Sequence, residues 1–179
     1  MSEPTAYAST GVPSPYAGYD LIGENRHRER VGFYYEEFEP GAVFEHRPGR
    51  TVTEMDNVLM STMAMNQSPL HIDAAFCDET EWGRPLVSSL VTLSIVCGMS
   101  VRSTSGRGIA NLGWDSIRLA KPVFVGDTLY SESEILGKRR SRSRENRGIV
   151  TVRTTGVNQN GEIVITFERS FMVPTMKKD

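Results

Sequence analysis

The 179-residue sequence predicts an α+β domain in which an antiparallel sheet covers one long, buried helix. Residues 86–102 carry apolar side chains on nearly every side of a helix, which predicts burial on most faces. Residues 128–136, 148–157 and 162–173 alternate apolar and polar side chains, as strands with one covered face do. The apolar helix is the natural cover for that face, so we expect the sheet to wrap around it.

Composition narrows the possible functions. A formal net charge of -2 provides no general attraction to nucleic acid or to anionic membranes. No apolar run has the length of a membrane span, and the N-terminus lacks a signal-peptide pattern, so we expect a cytoplasmic protein. Cys77 and Cys97 lie among apolar residues without metal-ligand spacing, and the sequence has only 3 histidines. We therefore expect reduced, buried thiols and no metal site.

The order of segments predicts one folded domain after a tail. Residues 1–32 are rich in Ser, Pro, Gly and Tyr without a sustained period, which predicts a flexible N-terminal tail, and residues 33–175 form the domain. Thr53 and Asp56 match a capping box that opens a helix to about residue 65. Its apolar residues, which we expect to face the core, are Met55, Val58, Leu59 and Met63.

The stretch 65–76 contains the best candidates for chemistry. Pro69 fixes its own φ and stiffens the chain before His71, and Asp73 is suited to cap the short helix that follows. An imidazole and the amide of Asn66, held on a rigid wall, are suited to proton transfer. The alternative is a buried histidine that satisfies a loop carbonyl.

Three motifs together resemble a known family. They are Pro69-Leu70-His71-Ile72-Asp73, the helix start at Ser88-Ser89, and the run Pro122-Val123-Phe124-Val125-Gly126-Asp127-Thr128-Leu129. This combination resembles the MaoC-like, (R)-specific enoyl-CoA hydratase family from about Tyr35 to about Val173. The resemblance implies a hot-dog fold, in which a curved antiparallel sheet wraps a long central helix. It also implies a homodimer or a higher homo-oligomer.

The sequence departs from the family pattern at two places. The family has Asp-x-Asn-Pro-Leu-His with the Asp and His as the catalytic pair, but here Asn66 replaces the aspartate and cannot accept a proton at neutral pH. The His-Gly at the helix entry is Ser88-Ser89 here. Either the mechanism is modified or hydration has been lost. The Asn-containing form resembles hydratases of branched, carboxylate-bearing substrates such as mesaconyl-CoA and itaconyl-CoA, which favours a modified enzyme.

The resemblance implies reversible addition of water across the 2,3 double bond of an enoyl-CoA, without a cofactor beyond the coenzyme A of the substrate. His71 would take the proton from the water, and Asn66 would hold that water. A backbone N–H near Ser89, with Ser88 beside it, would stabilise the charge on the thioester oxygen.

Arginines provide the candidate binding residues. Arg84 and Arg118 could bind a substrate carboxylate, although an ordinary surface role is the alternative for both. Arg140 and Arg142, in a basic run at residues 138–144, could bind the phosphates of coenzyme A. The alternative for that run is a solvated hairpin tip, and the lack of interleaved aromatics disfavours nucleic acid.

Three functions remain open from the sequence. A hydratase or dehydratase is the first. A hot-dog thioesterase, which would release free thiol, is the second. A non-catalytic subunit that binds acyl-CoA is the third, because the catalytic aspartate of the family is missing.

Overall fold

A computed structural model describes residues 14–176, and the chain divides into two compact units, Met1–Val31 and Gly32–Asp179. In the first unit, strands β1 (Tyr19–Gly23) and β2 (Arg26–Glu29) pair as an antiparallel hairpin. The sequence did not predict this hairpin, because its strands are too short and too polar to show alternation. Residues 1–13 of the proposed tail lie outside the described residues. The flexibility of the tail and its boundary at residue 32 stay predictions.

The second unit contains one five-stranded antiparallel sheet with the strand order β3-β5-β6-β7-β4. The strands are β3 (Val43–Thr51), β4 (Ala110–Leu119), β5 (Thr128–Arg140), β6 (Arg147–Val157) and β7 (Ile163–Pro174). The helices are α1 (Glu54–Met63), α2 (Pro69–Ile72), α3 (Ala74–Asp78) and α4 (Ser89–Val101). The predicted hairpin turn between β6 and β7 is confirmed, and Gly161 takes the positive φ of 75° that favours glycine.

Helix α4 packs on the sheet, as the sequence predicts. Val91 and Val96 of α4 form a core cluster with Leu129 of β5 and with Ile165 and Phe167 of β7. Burying side chains of this size stabilises the fold by about 1.5–3 kcal/mol each. Between residues 14 and 176, no helix is long and apolar enough to cross a membrane.

Helix α1 confirms its predicted start but contradicts its predicted orientation. The capping box is present, since the Thr53 N–H donates to Asp56 Oδ2 at 2.8 Å and the Asp56 N–H donates to Thr53 Oγ1 at 3.3 Å. The expected core face is wrong: Met55, Val58, Leu59 and Met63 are all exposed. The buried residues are Asn57 and Ser61 instead. The reason is that Asn57 bonds to buried backbone groups, which outweighs the apolar pattern of the helix.

Other apolar side chains are also exposed in the single chain. On α4, Leu90 and Val101 are 45% and 39% exposed, so the expected burial on most sides holds for only part of that helix. Strand β4 lies at one edge of the sheet and, among the described residues, pairs only with β7 on its other side. Its exposed apolar residues are Leu112, Trp114, Ile117 and Leu119. An unpaired edge with apolar side chains is typical of an association surface.

His46 lies buried inside β3. Its Nδ1 is hydrogen-bonded to Ser103 Oγ at 2.7 Å, and its Nε2 is hydrogen-bonded to Ser133 Oγ at 2.9 Å. Burial, followed by the positive charges of Arg169 and Arg47, lowers the pKa of His46 from 6.5 to about 4. The native protein therefore holds this imidazole neutral over a range in which the unfolded chain would protonate it.

We expect this histidine to make the fold sensitive to acid. The unfolded chain binds the extra proton below pH 6.5, so the stabilisation is present above that pH and is lost as the pH falls towards 4. The expected loss is about 3 kcal/mol of unfolding free energy between pH 7 and pH 4. Urea unfolding at both pH values measures it, with His46→Gln as the comparison. An equal loss in wild type and variant would remove His46 as the cause.

Candidate active site

His71 lies on a short helical turn between two tight connections. Pro69 is the first residue of α2, where its fixed φ is compatible with the helix. Asp73 caps α3, as predicted, because its Oδ1 accepts the N–H of Phe76 at 3.0 Å. Both ends of the turn are therefore fixed locally, and the His71 side chain stays half-buried rather than enclosed.

The ring of His71 is oriented by one backbone carbonyl. Its Nδ1 lies 2.9 Å from the carbonyl oxygen of Leu86. Because a carbonyl can only accept, Nδ1 carries the hydrogen, and Nε2 of the neutral ring has a lone pair that can accept a proton. The predicted alternative, a histidine bonded to a loop carbonyl, thus holds for Nδ1. The same bond leaves Nε2 with a lone pair, so this nitrogen can act as a base.

The same bonds place His71 beside the start of α4. The N–H of Leu86 donates to the carbonyl of Leu70 at 2.9 Å, which ties the His71 turn to the segment that leads into α4. Ser88 is the N-cap residue, and Ser89 is the first residue of the helix. The His71 turn therefore lies next to the N-terminus of α4.

Asn57, which the sequence did not indicate as a site residue, joins these segments. Its Nδ2 donates to the carbonyls of His71 at 2.8 Å and Leu86 at 2.9 Å, and its Oδ1 accepts the N–H of Ser88 at 2.8 Å. The only local signal was that Asn57 and Ser61 share one helix face, opposite the methionines. A polar pair of this kind usually indicates a solvated face, so it did not suggest burial.

Asn66 lies in the turn between α1 and α2. Its backbone N–H donates to the carbonyl of Ser61 at 2.8 Å, and its side-chain Oδ1 accepts the N–H of Ser68 at 3.2 Å. The amide oxygen therefore stabilises the turn. The side-chain NH₂ is the group that can donate to a water, but it cannot remove a proton from it.

The first amides of α4 are the candidate donors for a thioester oxygen. The N–H of Ser88 is already bonded to Asn57, so it is not available for a ligand. The first helical N–H groups have no acceptor within their own helix, and Ser89 supplies the first of them. This refines the predicted pair: the backbone of Ser89 can serve as a donor, whereas Ser88 can contribute only its hydroxyl.

Nearby carboxylates are occupied by other contacts. Asp56 forms an ion pair with Arg50 at 2.6 Å, and hydrogen bonding to that arginine holds the pKa of Asp56 well below its usual range. Asp73 serves as a helix cap. Both carboxylates therefore already have structural contacts of their own. Among residues 14–176, no group of three or more His, Cys, Asp or Glu could hold a metal ion.

Arg84 lies close to this site. Its guanidinium carbon is 3.9 Å from the centre of the Phe124 ring, and Phe124 forms a β-bridge with Leu86. Arg84 is exposed, and no carboxylate in the described part of the chain forms an ion pair with it. Arg118 lies on the edge strand β4 and donates to the carbonyl of Ile117 at 3.0 Å. No described hydrogen bond ties Arg118 to the His71 turn.

The predicted coenzyme A residues lie far from His71 within one chain. Strand β5 begins at Thr128, next to the segment that pairs with Leu86, and reaches Arg140 after about 40 Å of extended strand. Arg140 forms an ion pair with Glu36 at 2.8 Å. Arg142 is exposed in the turn that follows. The structure therefore does not bring these two arginines to the site of their own subunit.

An apolar cavity of about 350 Å³ lies between α1 and α4. Its apolar lining is formed by Leu59, Met60, Met63, Val91, Ile95 and Met99. Val91 belongs to the first turn of α4, and neither His71 nor Ser89 is among the residues that line the cavity. Leu59 and Met63 of α1 line this cavity rather than the core, which explains part of the exposed face of that helix.

Comparison with known proteins shows the family. The MaoC like domain matches residues 37–158, and the chain therefore belongs to this family. It is 33% identical over 142 residues to the beta-methylmalyl-CoA dehydratase of Chloroflexus aurantiacus, which covers 79% of this chain and 40% of that protein. It is 32% identical over 146 residues to the mesaconyl-CoA hydratase of Cereibacter sphaeroides, with 82% and 42% covered. The chain thus spans about two fifths of the length of these relatives.

Solved structures show the same fold. A Mycobacterium tuberculosis protein with a double hot-dog fold has a TM-score of 0.74 at 26% identity, with 83% of this chain and 46% of that chain covered. A monoamine oxidase regulatory protein from Archaeoglobus fulgius has a TM-score of 0.72 at 31% identity, with 83% and 98% covered. The predicted hot-dog fold is confirmed.

Proposed function

We propose that this protein adds water reversibly across the 2,3 double bond of an enoyl-CoA thioester. The observation that carries the proposal is the His71 ring, held through Nδ1 with Nε2 available beside the first amides of α4. The names of the related mesaconyl-CoA hydratase and beta-methylmalyl-CoA dehydratase support the same reaction.

The residues divide the reaction into three tasks. His71 Nε2 takes a proton from water as the water oxygen bonds to C3, and it then returns a proton to C2. General acid–base catalysis of this kind contributes roughly 10²–10⁴-fold. The side-chain NH₂ of Asn66 holds the attacking water. The Ser89 amide stabilises the negative charge on the thioester oxygen, a contribution of about 3–4 kcal/mol for one such donor.

We propose that the substrate is a branched or dicarboxylic acyl-CoA. The cavity between α1 and α4 offers an apolar lining for the carbon skeleton. Arg84 lies over the Phe124 ring without a carboxylate partner among the described residues, so its forked N–H groups are suited to a substrate carboxylate.

An assay of three substrates tests the reaction. Crotonyl-CoA, mesaconyl-CoA and itaconyl-CoA are incubated separately with the protein, and loss of enoyl absorbance and release of thiol are recorded together. Loss of absorbance without thiol release is the expected result. Thiol release would indicate the thioesterase instead, and binding without either change would indicate a non-catalytic subunit.

Arg84 is expected to select the substrate. Arg84→Gln should lower kcat/KM for mesaconyl-CoA about tenfold or more, because a hydrogen bond to a charged group is worth about 1.5–3 kcal/mol. Turnover of crotonyl-CoA, which has no carboxylate, should stay within about twofold because no bond to Arg84 is lost. Arg26→Gln, at an exposed arginine of the first compact unit, is the matched control. Equal losses on both substrates in Arg84→Gln would assign it a structural role.

We propose a homodimer as the active assembly. Association with a second copy is supported by the unpaired edge of β4 and its exposed apolar side chains. It is also supported by the length of the named relatives, which is about twice that of this chain. Sedimentation equilibrium at micromolar concentration decides the mass. Contact of Arg140 and Arg142 with coenzyme A stays a prediction, and their position at the far end of β5 supports a contact made across a subunit interface.

Other expectations also rest on the sequence. A cytoplasmic location stays a prediction. So does a reaction that needs no cofactor beyond the coenzyme A carried by the substrate.

A further inference from the structure

We propose that Asn57 is a positioning residue that holds the His71 ring and the first amides of α4 in one fixed geometry. The inference rests on the proposed hydration reaction. Its basis is a single buried amide, 1% exposed, that bonds to the His71 turn, to Leu86 and to Ser88.

All three bonds of Asn57 reach backbone groups, and both ends of its amide are used. Its NH₂ donates twice and its oxygen accepts once, at distances of 2.8–2.9 Å. A buried amide without such partners would be costly. With them, it fixes the separation of chain segments that lie 14, 29 and 31 residues away.

The shared acceptor gives Asn57 control over the ring. The carbonyl of Leu86 receives both the Nδ1–H of His71 and the NH₂ of Asn57. A carbonyl oxygen has two lone pairs, so the two donors use both of them and together fix the direction in which the Leu86 carbonyl points. Releasing Asn57 would let this carbonyl rotate, and the tautomer and tilt of the His71 ring would no longer be fixed.

The second end of Asn57 controls the donors. By accepting the N–H of Ser88, it fixes the Val87–Ser88 peptide, one residue before Ser89, whose amide faces the thioester oxygen in the proposed reaction. The segments that carry the base, His71, and the charge-stabilising amide of Ser89 are thus hydrogen-bonded to the same side chain. This accounts for the reversed orientation of α1, which buries Asn57 and Ser61 and leaves Met55 and Met63 exposed.

Asn57→Asp separates the two ends of the amide. The variant keeps an oxygen that can accept from Ser88, but it presents a second oxygen to the carbonyls of His71 and Leu86, which cannot donate. Asn57→Ser is the second variant, because it is neutral and small and can donate to only one carbonyl. Thr62→Ala is the matched control, since it removes a side-chain bond to the Val58 carbonyl on the exposed face of the same helix.

Two measurements on the folded variants test the proposal. In ¹⁵N NMR of the imidazoles, with the His71 signal assigned through His71→Gln, wild type should show one Nδ1–H tautomer, and Asn57→Asp should show a mixture. In the hydration assay, kcat should fall about 100-fold with little change in KM, because misplacement of about 1 Å has effects of that size. Thr62→Ala should match wild type in both.

A merely structural Asn57 would give a different result. Its variants would lower the melting temperature but leave the His71 tautomer and kcat per folded molecule at wild-type values, and that result would overturn the proposal. If no enoyl-CoA is hydrated by wild type, the proposed function fails, yet the NMR measurement still decides whether Asn57 fixes the ring. If Asn57→Asp does not fold, Asn57→Ser gives the same two readouts.

Discussion

Replacing His71 with alanine is expected to lower kcat for enoyl-CoA hydration by roughly 10²–10⁴-fold, the usual contribution of a positioned acid–base group. The variant loses the ring that takes the proton from water and returns one to C2. It should fold, because the His71 side chain is half-buried and makes one described hydrogen bond, to the Leu86 carbonyl. Steady-state kinetics with the best of the three substrates, together with circular dichroism, measures both effects.

A histidine elsewhere in the chain provides the control. His27 lies in the first compact unit, where its Nδ1 is hydrogen-bonded to Ser14 Oγ at 2.9 Å. His27→Ala should retain wild-type kcat. Turnover near the wild-type rate in His71→Ala would exclude His71 as the acid–base group.

Replacing Asn66 with alanine is expected to lower kcat about 100-fold, similar to the loss of one donor at a charge-stabilising site. The substitution removes the NH₂ that holds the water and also removes the acceptor of the Ser68 N–H. Asn66→Asp separates these effects, because a carboxylate still accepts from Ser68 but cannot donate to water at neutral pH.

The comparison of the two Asn66 variants shows how the site works. We expect Asn66→Asp to keep the turn but not to reach wild-type kcat on mesaconyl-CoA, since its new charge repels the substrate carboxylate. Melting temperatures show whether the turn is kept. Wild-type turnover in Asn66→Ala would show that the amide does not hold the water.

Local signals in the sequence predicted the elements well. The Thr53 and Asp56 capping box, the Asp73 cap and the glycine turn at Gly161 each depend on residues a few positions apart, and each is present. The alternating strands and the apolar helix predicted the sheet and its cover in the same way. Bonds and periods of this length are visible in a single sequence.

Long-range contacts explain what the sequence could not show. Asn57 bonds to groups up to 31 residues away, and nothing near it in the sequence indicates those partners. The apolar face of α1 predicted a core that those bonds override. The position of Arg140 at the far end of β5 likewise depends on strand length and direction, which composition does not reveal.

A crystal structure with the hydrated product bound would examine the proposed site at the level of atoms. We expect His71 Nε2 within about 3.2 Å of the C3 hydroxyl and the Ser89 amide nitrogen within about 3.1 Å of the thioester oxygen. A product whose hydroxyl faces a different side chain, with its thioester oxygen away from the start of α4, would contradict the proposed mechanism.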